Sequence, residues 1–106
     1  MQKAKELNII IVLKGHHTLI ASPDGMAFFN NTGNAGLAKG GSGDVLTGII
    51  ASLLGQSYSP IHAAIFGVYL HGLAADFAAN ALSQESMTAT DVIKNLSVCF
   101  RQVNNL

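Results

Sequence analysis

The sequence predicts an α/β fold in which one apolar strand and a β-hairpin are followed by three helices. Three observations carry this prediction. Residues 9–14 form an apolar run rich in β-branched side chains, and Pro23-Asp24-Gly25 is a strong turn signal between two short strand candidates. Residues 45–103 then show apolar side chains at helical spacing, together with helix start signals.

The apolar run is the first strand, and Gly15 ends it. A continuous apolar strand is typical of one buried on both faces of a sheet, as in parallel α/β folds. The hairpin strands are expected at residues 18–22 and 26–30. Residues 2–7 are expected to form the last turns of a preceding helix.

Two helices are predicted after the hairpin. Apolar residues along 45–54 recur at intervals of three and four residues, and Gly55 is the expected C-terminal stop of this helix. Ser59-Pro60 then gives an N-cap followed by proline at the first helical position, for a helix that runs to Leu82. The many alanines and glycines of this helix predict close contact with other elements.

A third helix is predicted over residues 91–103. Thr90 is expected to cap it, and Asp91 lies in its first turn, where the helix dipole favours a carboxylate. No linker, internal repeat or low-complexity segment divides the 106 residues. The chain is therefore expected to form one domain at most.

The chain carries very little charge. Charged residues make up 11% and the formal net charge is +0, whereas an average soluble domain is roughly 25% charged. Residues 45–75 contain no Asp, Glu, Lys or Arg. We therefore expect either a part of a larger chain or a subunit that buries much of itself against copies.

The same composition excludes several classes of protein. Neutral charge without a basic cluster argues against binding to nucleic acid or to an anionic membrane surface. A single cysteine, Cys99, excludes an internal disulfide. Residues 60–82 are apolar enough to suggest a membrane span, but His62, His71, Asp76 and Asn80 favour a buried helix of a soluble protein.

The most informative motif is Gly40-Gly41-Ser42-Gly43-Asp44, which leads into an apolar helix. Glycines permit positive φ and close approach of a ligand, and the free N–H groups of a helix start favour an anion. The motif is neither a Walker A loop nor a dinucleotide fingerprint, because it lacks Gly-Lys-Ser/Thr and has Leu46 at the sixth position. An anion site is therefore predicted at Gly41, Ser42 and Gly43.

Asp44 has two interpretations. A carboxylate at a helix start usually caps the helix. Alternatively, Asp44 is a general base beside the anion site and accepts a proton from a substrate hydroxyl. The density of glycines around Asp44 favours the second interpretation, because a cap alone does not require them.

Lys14 lies at the predicted C-terminal end of the first strand, where open α/β sheets bind ligands. It is either a phosphate contact or an ordinary surface lysine. His16 and His17 lack the spacing of a helical metal pair and are expected to be solvated turn residues.

Three residues of the second predicted helix are considered as candidates for chemistry. His62 and His71 are nine residues apart, so they should point to opposite sides and are not expected to share a metal. Asp76 is either paired in the core or exposed at the helix end, and the sequence does not decide between these.

Residues 34–50, Asn-Ala-Gly-Leu-Ala-Lys-Gly-Gly-Ser-Gly-Asp-Val-Leu-Thr-Gly-Ile-Ile, closely resemble the signature of the NAD(P)H-hydrate dehydratase family. Residues 12–18 resemble its nucleotide-binding strand end, and residues 67–74 and 87–91 resemble its later helical segments. The resemblance covers essentially the whole chain but only the C-terminal part of the family's domain. It implies the C-terminal portion of a ribokinase-like fold, as a single partial domain.

The resemblance also implies a reaction. Such enzymes restore NADH and NADPH from their hydrates, at the expense of ADP in bacterial members or ATP in eukaryotic ones, with Mg²⁺. Asp44 would contact the hydrated nicotinamide and act as the base on its hydroxyl. No protein side chain is assigned to a metal. The nucleotide would be lined by Lys14, Gly15, His16, His17, Thr18 and Gly43.

Further expectations follow from the same resemblance. The family's N-terminal parts of the domain supply substrate contacts that this chain lacks, so the chain alone should not catalyse the complete reaction. A homo-oligomer, a tetramer in the family, is expected, as are a cytoplasmic location and a possible fused epimerase domain. Two alternatives remain: a ribokinase-type small-molecule kinase that uses the same Asp44, and a non-catalytic oligomerising fragment.

Overall fold

The computed structural model describes residues 10–13, 18–37 and 41–104. The predicted order of one strand, a hairpin and three helices is confirmed, and the helix expected at residues 2–7 lies outside the described residues. The elements are β1 (Ile11–Leu13), β2 (Thr18–Ala21), β3 (Ala27–Asn30), a 3₁₀ turn (Ala35–Leu37), α1 (Ser42–Gly55), α2 (Pro60–Ala81) and α3 (Ala89–Asn104).

The three strands form an antiparallel sheet in the order β1-β2-β3. Val12 pairs with Ile20, which in turn pairs with Phe28, and these three side chains pack with the helices. On the opposite face, Phe29 of β3 is 77% exposed. The sequence pattern of β1 is typical of a parallel sheet, but its pairing within the described residues is antiparallel, because the hairpin folds directly back onto it.

Helix α2 is the centre of the molecule and contacts the sheet, α1 and α3. It begins as predicted, with Ser59 Oγ accepting a hydrogen bond of 3.3 Å from the His62 N–H and with Pro60 in its first turn. Its small residues allow close packing: a Cβ on Gly67 would lie 2.7 Å from Cγ1 of Ile50. The largest core cluster contains Leu70, Ala74, Ala75, Ala78, Met87, Val92 and Cys99.

The end of α1 differs in detail from the expectation. The helix ends at Gly55, as predicted, but Gly55 does not adopt the left-handed conformation of a glycine stop. Ser57 does, with a φ of 75°, and the Tyr58 N–H donates a 3.1 Å hydrogen bond to the Leu53 carbonyl. The chain therefore turns two residues later than the glycine suggests.

Helix α3 is capped by Thr88, and the prediction of Thr90 as its cap is wrong. The Thr88 N–H donates to Asp91 Oδ2 at 2.8 Å, and the Asp91 N–H donates to Thr88 Oγ1 at 3.4 Å. This reciprocal pair is a capping box, which uses residues three apart. Thr90 already lies inside the helix, which begins at Ala89.

The apolar helix α2 and the exposed apolar side chains show how apolar residues are divided between core and surface. Helix α2 is long and apolar enough to cross a membrane by composition, but 56% of the relevant window is buried inside the protein, as the interpretation of a buried core helix predicts. Several large apolar side chains are exposed nonetheless: Met26, Phe29, Leu54, Tyr58, Tyr69, Leu82 and Ile93.

Candidate functional site

The candidate site is the N-terminal end of α1, where the glycine-rich segment enters the helix. Gly41 is the N-cap and has a φ of 87°, and no side chain caps the helix. The Val45 N–H closes the first turn by donating to the Gly41 carbonyl at 3.1 Å. The first N–H groups of a helix have no partner within the helix, so this end of α1 presents donors to an anion.

The residues of the motif differ in how far they are exposed to solvent. Ser42 is 4% exposed, whereas Gly43 and Asp44 are exposed. Asp44 lies in the first turn, but it is not the cap, because Gly41 holds that position without a side-chain hydrogen bond. The interpretation of Asp44 as an ordinary helix cap is therefore wrong, and its carboxylate faces solvent beside the N–H groups.

Ser42 forms a hydrogen bond with His71 of α2. Ser42 Oγ and His71 Nε2 lie 3.4 Å apart in a buried hydrogen bond whose direction depends on the histidine tautomer. His71 is 4% exposed and His62 is exposed, so the two histidines point to opposite sides, as predicted. No signal in the sequence indicates the contact with Ser42, because the two residues are 29 positions apart.

Asp76 is paired, which decides the alternative that the sequence leaves open. Its Oδ2 accepts a 3.0 Å hydrogen bond from the Gly33 N–H, and its Oδ1 accepts one of 3.0 Å from Asn34 Nδ2. Both donors belong to the segment that leads into the glycine-rich loop. Asp76 is therefore a loop anchor, a role that its sequence position at the end of an apolar helix does not indicate.

The turn that follows Asn34 is tightly packed. The Gly36 N–H donates to Asn34 Oδ1 at 2.9 Å, and the Leu37 N–H donates to the Asn34 carbonyl at 3.1 Å. A Cβ on Gly36 would come within 2.5 Å of Sδ of Met87. That Cβ would also lie 2.8 Å from the backbone carbonyl oxygen of Gln84, which cannot turn aside as a side chain can, so glycine is needed at this position.

The predicted nucleotide residues are only partly described. Lys14, Gly15, His16 and His17 lie outside the described residues. Thr18 is the first residue of β2, half-buried and paired with Asn30 of β3. The anion-site residues Gly41, Ser42 and Gly43 and the predicted base Asp44 are contiguous at one end of α1.

The described residues contain no group of three or more His, Cys, Asp or Glu side chains that could hold a metal ion. Asp44 is the acidic side chain in the first turn of α1. A magnesium ion commonly uses one or two carboxylates and completes its shell with substrate phosphates and water. This site fits a cation that arrives on a nucleotide better than one held by the protein alone.

Comparison with known proteins shows the family to which the chain belongs. The sequence profile of a carbohydrate-kinase-type family described as NAD(P)H-hydrate dehydratase matches residues 1–97. The bifunctional NAD(P)H-hydrate repair enzyme of Moorella thermoacetica is 49% identical over 94% of this chain and 19% of its own length. The ADP-dependent (S)-NAD(P)H-hydrate dehydratase of Bacillus subtilis is 45% identical over 84% of this chain and 32% of its own length.

Solved structures give the same result for the fold. The Bacillus subtilis ADP/ATP-dependent NAD(P)H-hydrate dehydratase, co-crystallised with ATP and Mg²⁺, has a TM-score of 0.90 and 40% identity over 95% of this chain and 36% of its own. A ribokinase-like superfamily protein of Enterococcus faecalis has a TM-score of 0.83 and 36% identity over 95% of this chain and 34% of its own. The chain spans between 14% and 38% of the length of such matched proteins.

Proposed function

Because the chain belongs to the NAD(P)H-hydrate dehydratase family and shares its ribokinase-like fold, we propose that it carries the phosphate site and catalytic base of an ADP- or ATP-dependent NAD(P)H-hydrate dehydratase. The observation that carries the proposal is the start of α1, where Gly41 has left-handed geometry and Asp44 is exposed one turn away. This arrangement places anion donors and an exposed carboxylate side by side.

The chemistry assigned to the site is a phosphoryl transfer followed by an elimination. The helix N–H groups stabilise the transferred phosphoryl group, since fixed donors are most effective where negative charge develops. Asp44 accepts the proton of the ring hydroxyl as that oxygen attacks the terminal phosphorus of the nucleotide. The bond from phosphorus to the nucleotide's bridging oxygen breaks, and the shortened nucleotide leaves.

The second step restores the cofactor. The phosphorylated ring carbon loses inorganic phosphate while the neighbouring ring carbon loses a proton, and the electrons of that C–H bond form the new double bond. Phosphate is a far better leaving group than hydroxide, which explains why a nucleotide is consumed. The products are NADH or NADPH, inorganic phosphate and AMP when ADP is used, or ADP when ATP is used.

Binding of the nucleotide is assigned to two segments. Gly43 and its neighbours Gly41 and Ser42 contact the phosphates through α1, and Thr18 lies at the start of β2. The remaining contacts are assigned to the residues of the strand end, Lys14, Gly15, His16 and His17. Mg²⁺ would enter as the magnesium complex of the nucleotide and would neutralise phosphate charge there, while Asp44 keeps its role as the base.

The proposal also covers the surroundings of the site. The exposed apolar side chains, Phe29 and Tyr69 among them, support burial against copies of the chain or against further parts of the domain. We assign the chain to a cytoplasmic homo-oligomer. A fused epimerase domain, which the family resemblance implies, would suit a bifunctional protein such as the Moorella thermoacetica relative. Light scattering on the purified chain tests the oligomeric state directly.

A chimera tests the catalytic assignment. In it, residues 1–106 replace the matching segment of the Bacillus subtilis dehydratase, and hydrated NADH with MgADP is the substrate. Asp44→Asn should lower turnover by about 100- to 10,000-fold, the range expected for loss of a general base. The measurements are recovery of dihydronicotinamide absorbance and release of inorganic phosphate.

Asp24→Asn is the matched control, because Asp24 is also an exposed carboxylate but accepts its hydrogen bonds from Ser22 and Met26 in the hairpin turn. It should change turnover less than twofold. Equal activity of Asp44→Asn and the unmodified chimera would contradict the assignment of the base. Accumulation of a stable phosphorylated alcohol would instead support the ribokinase-type alternative.

A further inference from the structure

Asp76 is the single Asp, Glu, Lys or Arg in the 22 residues of α2. It is half-buried, and its two oxygens each accept one hydrogen bond of 3.0 Å, from the Gly33 N–H and from Asn34 Nδ2. Neither donor is charged. Partial burial of a carboxylate costs free energy unless both of its hydrogen bonds form. The segment at Gly33 and Asn34 is therefore strongly constrained to keep its two donors on Asp76.

The constraint passes along the chain through the amide of Asn34. Its Nδ2 donates to Asp76, which fixes which way the amide points, and its Oδ1 then accepts from the Gly36 N–H at 2.9 Å. The hydrogen bonds therefore run in one direction, from Gly36 to Asn34 to Asp76. The 3₁₀ turn that leads to the glycine-rich loop takes its position from this relay.

Packing holds the same segment against α2. Thr32 Oγ1 donates to the Tyr69 carbonyl at 3.0 Å. A Cβ on Gly72 would lie 2.7 Å from the Thr32 carbonyl carbon, so the segment lies directly on the helix backbone. Gly33 has a φ of 106°, which glycine adopts without strain. These contacts leave the segment little freedom to move independently of α2.

The far side of the glycine-rich loop is held by the same helix. His71 of α2 bonds Ser42 at the start of α1, and Asp76 bonds Gly33 and Asn34 before the loop. The two anchors are five residues apart on one helix, or about 7.5 Å along its axis at the usual rise. Helix α2 therefore contacts the chain on both sides of the glycine-rich loop.

We propose that Asp76 is a positioning residue for the glycine-rich loop: it holds Gly33 and the Asn34 amide so that the loop delivers Gly41–Gly43 to the phosphate. This inference rests on the proposed function of that loop as the nucleotide-phosphate site. Asp76 acts through Asn34 and does not touch the nucleotide itself. Its loss should weaken nucleotide binding without removing any group that contacts the phosphate.

The carboxylate at position 76 and the amide at position 34 can be exchanged by substitution, which gives a sharp test of the relay. In Asp76→Asn, two amides meet, and no orientation of them satisfies every donor. In Asn34→Asp, two carboxylates face each other. In the double variant, which combines Asp76→Asn with Asn34→Asp, the amide and the carboxylate exchange places, so the new amide on α2 donates to the new carboxylate in the loop segment. That carboxylate still accepts from Gly36, and the oxygen of the new amide still accepts from Gly33.

The experiment measures two quantities on the 106-residue chain. The first is MgADP affinity by calorimetry, where each single variant should lose on the order of tenfold and the double variant should recover most of it. The second is amide hydrogen exchange at Gly33 and Gly36, which should accelerate by a similar factor in the single variants and return to the original rate in the double variant. Unfolding in urea reports global stability separately.

The matched control is Asp24→Asn. Asp24 also accepts one side-chain and one backbone hydrogen bond, from Ser22 and Met26, but in the hairpin turn. It should change neither MgADP affinity nor exchange at Gly33 and Gly36. A double variant that binds and exchanges like the worse single variant would overturn the inference, even if it is stably folded.

Failure of the proposed function is distinguishable from failure of this inference. If the unmodified chain does not bind MgADP while the exchange pattern follows the relay, the phosphate assignment is at fault and Asp76 still positions the loop. If the chain binds MgADP and Asp76→Asn binds it equally well with unchanged exchange, Asp76 is not a positioning residue. If double and single variants all fail to fold, exchange in the Asn34→Ala variant decides, since it removes the relay without placing two like groups together.

Discussion

At the scale of single residues, Gly41 and Gly48 are two glycines of one short segment with opposite structural requirements. Gly41 has a φ of 87° and a Cβ there would lie 3.3 Å from Cβ of Ala89. Gly48 lies in the interior of α1, with open space where its Cβ would be. The first glycine is required by backbone geometry, and the second is not.

Gly41→Ala should therefore destabilise the chain by about 1–2 kcal/mol, the cost of a left-handed conformation for an L-residue. Gly48→Ala should stabilise it by about 1 kcal/mol, because alanine is the better helix former. Urea unfolding of both variants measures the difference. Destabilisation by Gly48→Ala, or none by Gly41→Ala, would contradict the geometry of the helix start.

Asp24 makes the hairpin turn sensitive to pH. The Ser22 hydroxyl, followed by the Met26 N–H, lowers the pKa of the Asp24 carboxyl below its ordinary value of 3.8. A lowered pKa means that the ionised form stabilises the fold. This stabilisation is present above pH 3.8 and is lost as the pH falls through the lowered folded value.

Thermal melting of the chain and of Asp24→Asn should show this dependence. The unmodified chain should melt at the higher temperature near pH 6, and the gap should close as the pH is lowered past the ordinary value of 3.8. Asp24→Asn has no carboxyl group at this position, so its melting temperature is the reference for the effect of the Asp24 charge. A gap that stays constant down to pH 2 would rule out the Asp24 carboxylate as the source.

At the scale of elements, two threonines near the start of α3 are equally good cap candidates in the sequence, but only one of them caps the helix. Thr88 forms a capping box with Asp91, while Thr90 lies in the helix. Thr88→Ala should cost about 1 kcal/mol of stability. Thr90→Ala should change stability by less than about 0.5 kcal/mol, and the reverse order in urea unfolding would show that the cap is at Thr90.

Local signals explain which element boundaries could be predicted. Ser59-Pro60 specifies a helix start through a side-chain cap and a fixed φ, and the structure places both there. Pro23-Asp24-Gly25 likewise gives the turn between β2 and β3. The prediction is wrong at the cap of α3, where Thr88 and Thr90 offer the same chemistry. Helix α1 ends at Gly55 as predicted, although Ser57 and not a glycine takes the left-handed conformation after it.

The supports of the candidate site could not be predicted, because they join residues that are distant in sequence. Asp76 meets Gly33 and Asn34 across 43 and 42 positions, and His71 meets Ser42 across 29. No periodicity encodes such pairs. The glycine-rich motif and Asp44 are visible in the sequence because they are contiguous, whereas the residues that hold them become visible only in three dimensions.

At the scale of the whole molecule, the described part of the chain combines a layer of helices with a small sheet. The three strands are packed on one face by helices, and Phe29 on the other face is 77% exposed. The chain spans 36% of the Bacillus subtilis dehydratase structure that it matches. We therefore expect the phosphate site to be present and the rest of the substrate site to be incomplete.

The isolated chain should then give no complete turnover. With hydrated NADH and MgADP, dihydronicotinamide absorbance should not rise above the rate without protein. The chimera described above is the positive control under the same conditions. Turnover by the isolated chain at the chimera's rate would show that the missing contacts are dispensable.

The measurement that tests the central claim most directly is a calorimetric titration of the 106-residue chain with MgADP and, in parallel, with adenosine. The claim is that the start of α1 holds the phosphates, so MgADP should bind saturably and Gly41→Ala should weaken that binding on the order of tenfold. Adenosine, which has no phosphate, should bind at least tenfold more weakly than MgADP. Absence of saturable MgADP binding, or equal affinity for adenosine and MgADP, would contradict the account.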